Sequence, residues 1–97
     1  MPTYRTLPRF WRDHAKLTAE QKKAFRVAVE LFIEGLKGDG GFHPSLRVHR
    51  VHSTTDVWSM TWGEDGRATF EYGAEVQSGE AHVVWRRIGT HSIYRNP

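Results

Sequence analysis

Thr18–Lys37 reads TAEQKKAFRVAVELFIEGLK, and this stretch decides the fold. Thr18 and Gln21 stand three apart in the order of a capping box, where each side chain satisfies a backbone donor at a helix start. From there Phe25, Ala28, Val29, Phe32, Ile33 and Leu36 recur at i, i+3, i+4, i+7, i+8 and i+11. That spacing gathers the apolar side chains on one side of a helix and predicts a helix packed on a core. Gly38 is a natural stop. Working outward toward the N-terminus, Pro8 suits a first helical turn, so Arg9 to His14 reads as a short helix. Residues 3 to 7 before it read as a short strand.

On the other side, Asp39-Gly40-Gly41 and Pro44 punctuate a loop, and the period then changes. Four short segments rich in β-branched and aromatic residues follow, roughly Leu46 to His52, Val57 to Trp62, Arg67 to Tyr72 and His82 to Ile88. Turn residues such as Gly63-Glu64-Asp65-Gly66 and Ser78-Gly79 separate the last three, which predicts antiparallel neighbours. Strand alternation puts Trp58, Met60 and Trp62 on one face with Ala68, Phe70 and Tyr72, and Ser59, Thr61, Arg67 and Thr69 on the other. The expected architecture is α+β, with N-terminal helices packed on one face of a small, mainly antiparallel sheet. The opposite face should be polar and open.

At 97 residues, the chain has the size of one domain, expected to span 1–97. Hydrophobic residues make up 38% of it, including four Trp and five Phe, enough for one core and too many for a disordered chain. With no cysteine, a disulfide framework, a thiolate metal site and a thiol nucleophile are all excluded, in keeping with a cytoplasmic protein. No apolar run suits a secretory leader or a membrane span. Net charge is +3, a mild bias toward polyanions. Its distribution is more telling, because Arg47, Arg50, Arg67, Arg86, Arg87 and Arg95 fall after residue 42 together with His43, His49, His52, His82 and His91.

No HExxH, glycine-rich phosphate loop or GxSxG is present, which removes the commoner metalloprotease, nucleotide-binding and serine-hydrolase readings. His49 and His52, three apart in a strand, would point to opposite faces and could not share a metal ion, so no metal and no cofactor is expected. Histidine can give or take a proton near neutrality, and arginine can hold a phosphate through two parallel hydrogen bonds. Those are parts for cutting RNA. A base removes the 2′-hydroxyl proton, the oxygen attacks phosphorus, arginine stabilises the anion, and an acid protonates the leaving 5′-oxygen.

The order Trp58-Ser-Met-Thr-Trp62, Arg67-Ala-Thr-Phe-Glu-Tyr72, then Val83-Val-Trp-Arg-Arg-Ile-Gly-Thr-His91 with Tyr94 resembles the last three strands of the RelE/ParE toxin superfamily. With Phe42-His-Pro-Ser-Leu-Arg-Val-His-Arg-Val51 and two helices before it, the resemblance spans essentially the whole chain. Gly89-Thr90-His91 is its most specific element. The resemblance implies a toxin of a type II toxin-antitoxin system that cleaves mRNA in the ribosomal A site without a metal. It also implies a cognate acidic antitoxin as partner and no membrane partner.

Carried over by position, Arg67 stands where RelE-like members have an arginine on the scissile phosphate, and His91 matches the Gly-Thr-His histidine that acts as acid or base in YafQ-like members. His49 aligns with a further catalytic histidine of that group, and Tyr94 with an aromatic that closes the site. Arg47, Arg87 and Arg95 read as cations that guide RNA. The chain departs from RelE proper in carrying Ser59 and Thr61 where a lysine pair is expected, which favours a histidine-dependent variant. Two other readings share the fold: a ParE-like gyrase inhibitor, which needs no histidine and arginine constellation, and a non-catalytic RNA- or protein-binding member.

Overall fold

Thr18 and Gln21 form both halves of the capping box: Thr18 Oγ1 accepts from the Gln21 N–H at 3.1 Å, and Gln21 Oε1 accepts from the Thr18 N–H at 2.8 Å. In this computed structural model, which describes residues 1–38 and 40–97, the long helix α2 covers Ala19–Lys37 and ends at Gly38. Asp39, in the loop expected after it, lies outside the described residues. The short helix α1 is Pro8–His14, with proline in its first turn. Strand β1, Thr3–Thr6, precedes it. The C-terminal strands are β2 (His49–Arg50), β3 (Trp58–Thr61), β4 (Gly66–Tyr72) and β5 (His82–Thr90).

The sheet order is β1-β5-β4-β3-β2. β2 to β5 run antiparallel to their neighbours, whereas β1 returns beside β5 in parallel. Phe10, Phe25, Ala28 and Phe32 from the helices meet Met60, Ala68, Phe70, Val83, Trp85 and Ile88 from the sheet in one core. The architecture is therefore the expected α+β layer of helices on a mostly antiparallel sheet. A bulge between Thr69 and Phe70 shifts the β4–β5 register, so Phe70 pairs with Trp85 and Thr69 with Arg87. Arg86, between those two pairs, is the extra residue.

Two expectations need correction. The strand expected over Leu46 to His52 is reduced to His49–Arg50, because a 3₁₀ turn takes Pro44–Leu46 and Arg47 follows it in the left-handed region at φ 46°. The His43 ring nitrogen Nδ1 accepts from the Ser45 N–H, so a side-chain cap and a proline outcompete strand pairing here. Leu46 still reaches the core, 2% exposed. The second correction concerns the face away from the helices, which is not open at its centre. A C-terminal 3₁₀ turn, His91–Arg95, lies over it and leaves Ser59 and Thr69 fully buried.

Candidate functional site

The polar face is organised by register. His49 pairs with Ser59, Ser59 with Thr69 and Thr69 with Arg87, so one residue from each of four strands forms a row across the sheet. The adjacent row is Thr61, Arg67 and Gly89. Arg67 and His49 thus share a face, two strands and two residues apart, about 12 Å between Cα atoms. Over the rows lies the C-terminal turn. Tyr94 Oη and Ser59 Oγ share a hydrogen bond of 2.7 Å, and Thr69 Oγ1 donates to the Pro97 main-chain oxygen at 3.0 Å. The ring of Tyr94 lies 6.5 Å from that of His49, centroid to centroid.

The two histidines singled out from the sequence are set up alike. His49 Nδ1 lies 2.7 Å from the Arg47 carbonyl oxygen, and His91 Nδ1 lies 2.7 Å from Asp65 Oδ1. A carbonyl or an ionised carboxylate can only accept, so each ring donates from Nδ1 and, when neutral, carries its lone pair on Nε2. His43 is the opposite case, since its Nδ1 accepts from Ser45. Both His49 and His91 are exposed. His91 and Tyr94 stand three residues apart on a 3₁₀ turn, where such positions eclipse and lie about 6 Å apart along the axis. The turn thereby lines up His91 and Tyr94, with His49 beyond.

Arg67 is half-buried and leans on the β3–β4 turn, its Nη1 donating to the Gly66 and Gly63 carbonyl oxygens at 2.8 and 3.4 Å. Both bonds use Nη1, so Nε and Nη2 are free among the described residues. Arg47 and Arg95 are exposed cations. Arg87, expected from the sequence to guide RNA, has a partner within the fold. Its Nε and Nη2 donate to the two carboxylate oxygens of Asp13 at 2.7 and 3.0 Å, a two-pronged pair that commits its charge within the fold. Arg86 is likewise held, by Glu71 at 2.9 Å.

Two carboxylates that the sequence does not single out, Asp13 and Asp65, make defined contacts. Asp13 on α1 also accepts from the Ile88 N–H, at 3.2 Å, on the edge of β5 past the end of β1. Burial pushes its carboxyl up, but the bonds from Arg87 and Ile88 and the charges of Arg87 and Lys16 outweigh that and hold it below the ordinary value. Asp65 is held below the ordinary value chiefly by its hydrogen bond to His91. The register contained a signal for Asp65: Gly66 pairs with Thr90, so the next antiparallel step sets Asp65 against His91. Asp13 had none, because only the tertiary crossing of α1 over β5 brings it there.

No protein-family model and no curated protein matches the chain. Solved structures do. YafQ from E. coli strain BL21(DE3) superposes with a TM-score of 0.68 at 12% identity, over 95% of this chain and 96% of that one. A chain of the RelB-RelE antitoxin-toxin complex from Methanococcus jannaschii gives 0.62 at 14% identity, over 95% and 98%. A metal-bound toxin from Helicobacter pylori gives 0.60 at 16% identity, over 95% and 97%. What is shared at such identities is architecture, from the helix pair to the C-terminal strands: the chain has the fold of the YafQ and RelE toxins.

Proposed function

We propose that this chain is the toxin of a type II toxin-antitoxin system and a metal-independent endoribonuclease that cuts mRNA in the ribosomal A site. What supports this reading is a YafQ-like fold in which Arg67 and His49 share one sheet face, His91 stands on the turn that covers it, and both histidines use Nδ1 internally, leaving Nε2 without a partner among the described residues. One of His49 and His91 takes the 2′-hydroxyl proton through Nε2, and the freed oxygen attacks the adjacent phosphorus. Arg67 balances the charge gathering on the phosphoryl oxygens. The other histidine, protonated, gives its proton to the leaving 5′-oxygen, which closes the proton balance. Tyr94 supplies an aromatic surface beside His49 on which a base can stack. Arg47 and Arg95 attract the backbone, and Arg87 serves the fold through Asp13. The partner that silences the protein is an acidic antitoxin segment that orders on binding. The solved complexes of E. coli DinJ with YafQ and of RelB with RelE support that part of the reading.

The test is single-turnover cleavage of A-site mRNA on purified ribosomes. Wild type should cut, and His91→Ala and Arg67→Ala should each slow cleavage by about 10²-fold or more with unchanged circular dichroism. Arg67→Lys should not restore the rate, because the planar fork is lost although the charge remains. His49→Ala separates a two-histidine mechanism from one in which the ribosome supplies the second group. Equal cutting by wild type and His91→Ala would overturn the catalytic assignment, and growth arrest without RNA cleavage would move the chain to the gyrase-inhibitor reading.

A further inference from the structure

His91 follows Thr90 at the point where β5 leaves the sheet, and Asp65 precedes Gly66 at the point where β4 enters it. Since Gly66 and Thr90 are register partners, the two side chains are delivered to each other by the ladder. The turn that carries Asp65 is held firmly. The Gly66 N–H donates to the Gly63 carbonyl at 3.2 Å, and the Trp62 N–H donates to the Gly66 carbonyl at 3.1 Å. The Trp62 indole lies across Gly66 where any Cβ would collide with it, and its Nε1 donates to the Arg67 carbonyl at 2.9 Å. Arg67 Nη1 closes the same turn from the other face. A carboxylate on such a turn has a defined position although its side chain is 56% exposed.

We infer that Asp65 is a positioning residue for His91: the Asp65 carboxylate accepts from Nδ1–H, fixes that tautomer, and aims Nε2 outward as the atom that exchanges a proton with RNA. The inference rests on the proposed RNA cleavage for its consequence, but the tautomer belongs to the protein alone. Stability does not explain the pair. An exposed ion pair contributes little to folding, and His91 is 72% exposed. What the contact does is select between two forms of a ring. A histidine free in water holds its neutral-form proton mostly on Nε2, which would leave the outward nitrogen as a donor only. Bonding to Asp65 reverses this, so that neutral His91 is competent as a base and protonated His91 as an acid through one and the same atom. The acids Glu20 and Glu64 line a cleft together with Asp65, but the partner of the His91 ring among the described residues is Asp65.

Imidazole ¹⁵N NMR of the full chain tests this, with cleavage kinetics on ribosomes alongside. In wild type, neutral His91 should show a protonated Nδ1 and a bare Nε2. Asp65→Asn should move the proton toward Nε2 and lower kcat by about tenfold with KM unchanged. Asp65→Glu should recover part of both, and Glu64→Gln should alter neither. A wild-type His91 carrying its proton on Nε2, or a tautomer untouched by Asp65→Asn, would overturn the inference. So would a tautomer that switches while the cleavage rate stays the same. An Asp65-dependent tautomer in a wild-type protein that cuts no RNA would instead sink the RNase reading while the pair itself stands.

Discussion

The two faces of the sheet are closed by different physics. On the helix side, Phe32 sits against Phe70 at 4.9 Å and Trp85 at 5.3 Å between ring centroids, and Phe25 meets Trp85 at 5.5 Å. That closure scales with apolar area and does not depend on any one direction. On the other side a five-residue 3₁₀ turn and the residues after it cover hydroxyls, and beside the buried Ile93 their contacts are directional: Tyr94 with Ser59, Thr69 with Pro97, Arg86 Nε with Pro97 at 3.1 Å. Each such bond contributes about 1 kcal/mol net. The first face makes the fold; the second holds side chains in place at small cost and so can carry chemistry.

The sharpest way to break the comparison is Phe32→Ala. Phe32 is 1% exposed and touches both the sheet and Phe42, so truncation loses its transfer free energy and leaves a cavity. The expected destabilisation is about 3–5 kcal/mol, read from urea unfolding. A loss under about 1 kcal/mol would mean that the helix side is not the seat of stability.

Asp13→Ala should have a smaller effect, about 2–3 kcal/mol, because it strands a half-buried guanidinium and leaves the Ile88 N–H without its acceptor. Its pH dependence has a definite sign. The Asp13 carboxyl is held below its ordinary value of 3.8 in the folded protein, so the unfolded chain takes up the proton first as pH falls. The stabilisation from Asp13 is complete above the unfolded value and is lost as pH drops through the folded one. Wild type and Asp13→Ala should therefore differ by a constant amount from pH 5 to 7 and converge below about pH 4. A difference that grows toward acid pH would contradict the sign of the shift.

The same contrast explains what could be read in advance. The helix side was legible because periodicity is a local property: the Thr18 cap, the Phe25 to Leu36 stripe and the alternation in β3 and β4 all act within one element. Segment 43–52 was not, since the alternation of Leu46, Val48 and their neighbours with polar residues suits a strand, while a histidine cap and Pro44 impose a turn that only the competing hydrogen bonds reveal. The covering of Ser59 and Thr69 was illegible for another reason. Alternation says which face a residue points to, but nothing about which distant segment returns to lie on it. Among the candidate residues, the shared face of Arg67 and His49 follows from alternation and register, whereas the commitment of Arg87 to Asp13 depends on a helix crossing 74 positions away in sequence.

The finest probe of the comparison is Tyr94→Phe, which removes one oxygen and keeps the ring. Ser59 is fully buried and its Oγ has the Tyr94 phenol as its partner among the described residues, so the change leaves a buried hydroxyl unpaired at a cost of about 1 kcal/mol. Thermal unfolding should show it. The double variant Ser59→Ala with Tyr94→Phe removes both partners, and should recover part of the loss because no unsatisfied group remains. Recovery would establish that the C-terminal turn is seated by paired hydroxyls. Additive losses would show that the two oxygens act independently and that the face is closed by packing after all, as the helix side is.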